Sequence, residues 1–229
     1  MAFLNEYDLK RVYRDNSIDK LLNVTNNLSE LITQSVSEVK SYIQHRYDPD
    51  QVFYNVIDFS ITIAFSEGDL IQYSETAWSS ATEYALNDRI SYSGKIYKSL
   101  QGTNINHLPD ETGSTWWEYV CDNYAYFSAI QDTTGNYPED TDYWTAGDIR
   151  DPSIVKLTSW LTIYELFSGG NPRTFPEIIQ LKYDNSIDDL KAYQRGTRTV
   201  ILPTAVDADG EDQGQEISYD SSTQKNWEF

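Results

Sequence analysis

Residues 28–47, LSELITQSVSEVKSYIQHRY, carry the strictest helical spacing in the chain. Leu28, Ile32, Val36, Val39, Ile43 and Tyr47 follow at steps of four, four, three, four and four, which lays one apolar stripe along about five turns. Asn27 with Glu30 three positions on has the pattern of a capping box, and Pro49 disfavours helical backbone at Asp48. The helix is therefore predicted to fill 28–47 and to stop at Asp48-Pro49. Such a stripe needs a cover, and residues 151–196 supply it from far along the chain.

In that distant stretch Asp151 is placed to cap a helix with Pro152 at its first position, where a missing N–H costs nothing. PSIVKLTSWLTIYELFSGG sets Ile154, Leu157, Leu161, Tyr164 and Phe167 on one face, with Trp160 beside it, and ends at Gly169-Gly170. Pro176 opens a further helix, with Ile179, Tyr183, Ile187 and Leu190 on one face and a stop at Gly196. TVILP follows as a short extended piece. At the other end of the chain, Asn5 caps a short helix with Asp8 at its third position, and DNSIDKLLNVTNN reads as a polar link.

Between these helical parts the pattern changes. VIDFSITIAF and DLIQYS are rich in β-formers and flank Ser66-Glu67-Gly68, which predicts a hairpin of strands at 56–65 and 69–73. RISYSGKIYKSLQGT then reads as two strands around a Ser93-Gly94 turn, followed by Pro109 and Trp116-Trp117. VCDNYAYFSAIQDTT repeats it thirty residues on. Ile90 answers to Val120, Tyr97 to Phe127, Leu100 to Ile130, Gln101 to Gln131, Thr103 to Thr133, Pro109 to Pro138 and Trp117 to Trp144. Of the paired tryptophans, Trp117 is assigned to the core of its unit, as Trp144 is. Trp116, pointing the opposite way on an extended chain, is assigned to an exposed contact.

Charge supports the same division. The chain of 229 residues has a formal charge of −19. Residues 1–47 and 151–203 each carry six acids and six bases, 48–150 carry seventeen acids against four bases, and 204–229 seven against one. An acidic surface repels phosphate, which argues against a nucleic-acid binder. The chain lacks an apolar run long enough to span a bilayer and its first residues lack a signal-peptide pattern, so a protein made without secretion is expected. Cys121 is the one cysteine, so no internal disulfide can form.

The fold expected from these readings is α+β. A helical bundle built from 1–53 and 150–203 is interrupted at 54–149 by an all-β domain of two small units, at about 78–117 and 118–149. An acidic tail, 204–229, follows. Chemistry-bearing clusters are few. His45 and His107 are far apart, Asp110-Glu111 and Glu139-Asp140 read as solvated turns, and Asp207–Asp212 resembles half a calcium loop without its terminal glutamate. No phosphate loop or nucleophile motif occurs, so no catalytic residue, metal or cofactor is assigned.

Two resemblances extend this reading. The order Trp78, Tyr84, Asn87-Asp88, Ile90, Tyr92, Gly94-Lys95, Tyr97, Pro109, Trp116-Trp117 resembles the small carbohydrate-binding modules of chitinases, with Asn87 where that family has glycine. That resemblance, over about forty residues, implies a three-stranded unit whose exposed aromatics stack on sugar rings, with Trp78, Tyr97 and Trp116 as contacts. The outer segments resemble the Mu-like adaptor family of tailed-phage head-completion or head–tail connector proteins. The residues concerned are FLNEYDLKRVY, the run Tyr42-Ile43-Gln44-His45-Arg46-Tyr47-Asp48 with Val52-Phe53, the helix SIVKLTSWLTIYELF, and Tyr183, Ile187, Leu190, Gly196 and Pro203. That resemblance covers about 100 residues and implies a structural virion protein, not an enzyme. Its expected place is a dodecameric ring under the portal protein, contacting further tail or connector proteins, with DNA passing through the channel without specific binding and without a membrane. The tail's Tyr219, Trp227 and Phe229 are then expected to anchor on the portal or a neighbouring subunit, the acidic run favouring a basic partner surface. A carbohydrate-binding protein acting through the inserted module is the alternative.

Overall fold

The computed structural model describes residues 3–24, 27–109, 114–169, 175–198 and 201–204. Among them run six helices: α1 (Glu6–Val12), α2 (Asn16–Val24), α3 (Leu28–Ile43), α4 (Pro49–Val52), α5 (Pro152–Gly169) and α6 (Glu177–Arg195). The strands are β1 (Val56–Asp58), β2 (Leu70–Tyr73), β3 (Glu83–Tyr84), β4 (Arg89–Tyr92), β5 (Lys95–Ser99), β6 (Asn104–Ile105), β7 (Trp117–Asp122), β8 (Ala125–Ala129) and β9 (Trp144–Ala146). The protein is a mixed α+β chain.

The helices close one core. Leu9 of α1, Ile32, Val39 and Ile43 of α3, Val52 and Phe53, Leu161 of α5, and Ile179, Leu190 and Tyr193 of α6 are buried together. Its centre is α5, not α3: α5 is buried on nearly every side and packs against α1, α3 and α6. An apolar stripe suffices for a flanking helix, whereas a helix apolar all round must be surrounded. The polar residues on α5 close their hydrogen bonds within the helix. Thr158, Ser159 and Thr162 donate to the carbonyls of Ile154, Val155 and Thr158 at 2.8, 2.7 and 3.0 Å.

Local signals were mostly obeyed, with departures at both ends of α3, at Pro49 and at α2. Asn5 and Asp8 form the full capping box of α1, Asp151 Oδ1 accepts from Ser153 and Ile154 N–H at 2.8 and 3.0 Å, and Gly196 ends α6 with φ +69°. A Cβ at Gly196 would run into the Arg46 guanidinium, so the glycine serves close approach as well as the turn. By contrast, Asn27 makes no side-chain cap, and α3 ends at Ile43 with Gln44 as its C-cap. Tyr47 is still buried, because the turn after α3 carries it onto the core and Thr204 bridges to it. Pro49 opens α4 instead of ending α3, with Asp48 Oδ1 accepting from Asp50 N–H at 2.9 Å. The stretch expected as a polar link is α2, which starts where Asp15 Oδ1 accepts from Ser17 N–H at 2.7 Å and buries Ile18 and Leu22.

The inserted region differs from expectation in how its strands pair. β1 and β2 are parallel, Val56 opposite Leu70 and Asp58 opposite Gln72, not a hairpin. Phe59 and Phe65 leave the strand path to stack on each other at 5.8 Å, each edge-on to the core tryptophan Trp144, and the turn at Ser66–Asp69 leads into β2. The sheets are ordered β1-β2-β8-β9, β4-β5-β7 and β3-β6.

The repeat is present, but its second copy is not 118–149. β7 is the third strand of the first unit, Ser99 opposite Trp117, and the first strand of the second unit is β2. Ile71 faces Phe127 as Ile90 faces Tyr97, and Tyr73 faces Ala125 as Tyr92 faces Lys95. Hydrogen bonds agree pair by pair. Asp88 Oδ2 accepts from Ala85 N–H at 2.7 Å and Asp69 Oδ2 from Ser66 N–H at 2.8 Å. Asn87 N–H reaches Ser99 O at 2.9 Å and Gly68 N–H reaches Ala129 O at 2.8 Å. The Trp117 indole donates to His107 O at 2.8 Å and the Trp144 indole to Asn136 O at 3.2 Å, each acceptor two residues before a proline. One unit therefore sits inside the other: residues 74–124, with the whole first unit, stand where the first unit has the Ser93-Gly94 turn. Ile71 replaces Val120 as the counterpart of Ile90. Asn104, not Thr103, is the counterpart of Thr133, since Tyr84 pairs with Asn104 as Phe65 bridges Thr133.

Candidate interaction surfaces

Where the insertion joins the bundle, Arg150 is 2% exposed and all five of its N–H donors are used. Nε donates to Asp148 Oδ1 at 2.9 Å, and the two terminal nitrogens reach Asp8 Oδ2 and Oδ1 at 2.9 and 3.0 Å, Asp148 Oδ2 at 2.8 Å, and the carbonyl of Phe3. Burial pulls the pKa of this guanidinium down, but Asp148 and Asp8 outweigh it and hold the pKa above the ordinary arginine value. The Tyr126 hydroxyl of β8 donates to Asp8 Oδ1 at 2.8 Å, and Gln72 of β2 joins through Tyr126 and Asn5 at 3.2 and 3.0 Å. Burial, then the Asp8 charge, push the Tyr126 hydroxyl up, so it stays a donor. One ionic cluster thus ties α1 to the two central strands of the larger sheet. Tyr7 stacked on Tyr124 at 5.1 Å closes the same junction.

The sequence offered only part of this cluster. Asp8 was legible as a cap, yet nothing local marked it as the partner of Arg150, 142 residues away. The available signal was Arg150 flanked by Asp148 and Asp151 in an otherwise base-poor stretch.

Of the residues assigned to an exposed contact, Tyr97 is 8% exposed and lies in the small core of Tyr84, Ile90 and Trp117. It faces Ile90 across the β4–β5 pair, which puts it on the packed face of its strand. Trp78 is half-buried, edge-on to Tyr92 at 5.6 Å, and its buried indole N–H has no acceptor among the described residues. Trp116 is half-buried, with one face covered by His107, ring centroids 3.7 Å apart and planes 10° off parallel. Trp117 is 4% exposed and Trp144 2%. The same unit also exposes Leu100, Ile105 and Tyr119. Tyr219, Trp227 and Phe229 lie outside the described residues, as does the Asp207–Asp212 run.

Among the described residues no group of His, Cys, Asp and Glu is placed to hold a metal ion, and no helix is long and apolar enough to cross a membrane. Cys121 is partly buried beside Glu139, Asp122 and Glu75; burial first, then these charges, push its thiol up to about 12. At neutral pH it is a thiol and a poor nucleophile. Comparison of the chain with family models, with curated proteins and with solved structures returned no match.

Proposed function

We propose that this chain is a structural subunit of a tailed-phage head–tail connector, assembled as a ring beneath the portal protein and continuing the DNA channel toward the tail. The observation that carries the reading is the convergence of the four separated segments that resemble that family. Leu9, Ile43 with Tyr47 and Phe53, Leu161, and Leu190 with Tyr193 all enter one core, and Pro203 O accepts from Asp48 N–H at 2.9 Å, joining the second segment to the fourth. In this reading the bundle makes the ring, and the insertion projects from it as a bracket for neighbouring tail components. The buried Arg150 cluster supports that role, because a bracket must keep its angle under load. The acidic tail supplies further contacts to the portal or the adjacent subunit.

The test is to purify particles of a phage that encodes the chain, separate heads from tails, and locate the subunit by immunogold labelling and native mass spectrometry. A ring-sized multimer at the head–tail vertex is expected. A chain absent from particles, monomeric at high concentration and bound to glycans on an array would replace this reading with the carbohydrate-binding one.

A further inference from the structure

The bundle carries a basic groove on a strongly acidic chain. A hollow of about 550 Å³ is lined by residues of α1, of α5 and α6, and of the 148–152 turn; a smaller one of about 170 Å³ continues it between α5 and α6. Lys156, Trp160 and Lys182 line both. Together the two hold five cations, Arg11, Arg150, Lys156, Lys182 and Arg198, against three carboxylates, Asp8, Asp148 and Asp189. Arg150 takes Asp8 and Asp148, and Arg198 takes Asp189. All three carboxylates are thereby paired, five cations against three acids leave the groove net positive, and among the described residues no acid pairs with Arg11, Lys156 or Lys182. On the wall between the two hollows Trp160 is 6% exposed, and its buried indole N–H has no acceptor in the described chain.

We infer that this groove is the seat of the chain's own C-terminal segment, residues 205–229. Charge is the first argument: Asp207, Asp209, Glu211, Asp212, Glu216, Asp220 and Glu228 stand against Lys225 alone, in a segment that also carries Trp227 and Phe229. Position is the second. Residues 201–203 line a hollow with Ile149, Arg150, Asp151 and Pro152, and Arg150 and Pro152 also line the groove. The described chain therefore ends beside one end of the groove, and 25 further residues reach up to about 80 Å when extended. The carboxylates meet Lys156, Lys182 and Arg11, while Val12, Val155 and the Trp160 ring offer an apolar floor to the terminal aromatics. An intramolecular segment of this length acts at about millimolar effective concentration, so each contact can be weak. The inference concerns the free chain and stands independently of the connector reading.

Hydrogen exchange of the full chain, followed by mass spectrometry, tests it. Amides of 217–229 should exchange about tenfold more slowly than in a free peptide of the same sequence, and the protection should vanish at high salt. Lys156→Glu with Lys182→Glu should abolish it, and adding Asp207→Lys, Asp209→Lys, Glu211→Lys and Asp212→Lys should restore it. Neutralising only the tail acids to Asn and Gln, which leaves the bundle untouched, should also abolish it. An unprotected tail, or protection that the lysine reversals leave intact, overturns the inference. So does protection seen only in a dimer by light scattering, which would make a second copy the occupant. Duplex DNA that binds the groove through the same lysines while the tail stays unprotected overturns it as well.

Discussion

The two β units share one hydrogen-bond skeleton and differ in how they are rooted. The first unit, β4, β5 and β7 with β3 and β6, is enclosed in sequence by the second but is the outer one with respect to the bundle; it is continuous and closes on four buried residues, Tyr84, Ile90, Tyr97 and Trp117. The inner unit, β2, β8 and β9, is split by the outer one, yet its core is larger: Phe65, Ile71, Tyr73, Phe127, Ala129 and Trp144, with Ile96 contributed by the outer unit. It also carries the ties to the bundle, through Gln72 and Tyr126. A broken chain is therefore no disadvantage when the break lies at a turn, because strand register is set by facing pairs, and loop closure costs grow slowly with length. The split unit is the foundation, and the continuous one stands on it.

The largest test of that order compares Trp144→Ala with Trp117→Ala. Each removes a buried indole at an equivalent place, for a cost of about 3–5 kcal/mol. Trp144→Ala should release exchange protection in both units, whereas Trp117→Ala should release it in the outer unit alone. Equal loss in both variants, read by hydrogen exchange, would mean the two units fold as one.

Next in size is Arg150→Met, which leaves Asp8 and Asp148 without their cation and should cost about 3–5 kcal/mol, since a broken buried pair leaves uncompensated charge. The effect belongs to the junction. Far-UV circular dichroism during urea unfolding should resolve two transitions in the variant, bundle and insertion, and a single one in the parent chain. A single transition in the variant would mean that apolar contact, including Tyr7 on Tyr124, suffices to couple them.

These contrasts show what was legible in the sequence. The apolar stripe of 28–47 and the caps at Asn5 and Asp151 are local; the stripe packs on the core and both caps form, although the helix read to Tyr47 ends at Ile43. The repeat was legible from Tyr97 with Phe127 and Trp117 with Trp144, because strand position and core aromatic survive duplication. Its topology was not, because Ile71 and Val120 are both β-branched residues at plausible spacing from Phe127, and only the pairing of β2 with β8 chooses between them. Phe65 and Phe59 looked like strand residues, since period-two patterning cannot distinguish a strand from a loop that packs two aromatics inward. Tyr97 was assigned outward by analogy, although its place opposite Ile90 already implied burial. The junction was least legible, being an ion pair between bundle residues on either side of the insertion, 142 apart in sequence.

A smaller effect tests the joint between the units. Ile96 lies on β5 of the outer unit but is fully buried in the inner core, with Cys121 packed against it. Ile96→Val should cost about 1 kcal/mol. It should also speed alkylation of Cys121, whose thiol, pushed up to about 12 from 9.0, leaves about a thousandfold less thiolate at pH 8 than an unperturbed one. The sign is fixed: opening the joint lowers that pKa toward its ordinary value and raises the rate. An unchanged rate would place Ile96 outside the joint.

The finest contrast concerns one backbone position in each unit. Gly68 and Asn87 are equivalent, each before the aspartate of its turn, with φ +88° and +70°. Nothing lies within 4 Å of a Cβ built at Gly68, so a side chain there meets only the backbone cost. Asparagine tolerates the left-handed region best among residues with a Cβ, hence Asn87→Gly and Gly68→Asn should each change stability by less than about 0.5 kcal/mol. Valine is stiff at its branched carbon, and at either site it should cost about 1–2 kcal/mol. What separates the units is where the loss is felt. Gly68→Val strains the turn that leads into β2, so exchange should rise in β2, β8 and the outer unit standing on them; Asn87→Val strains only the approach to β4, so exchange should rise there and leave β8 protected. If Asn87→Val deprotected β8 as strongly as Gly68→Val, the inner unit would depend on the outer one, and the order of support argued from Trp144 would have to be reversed.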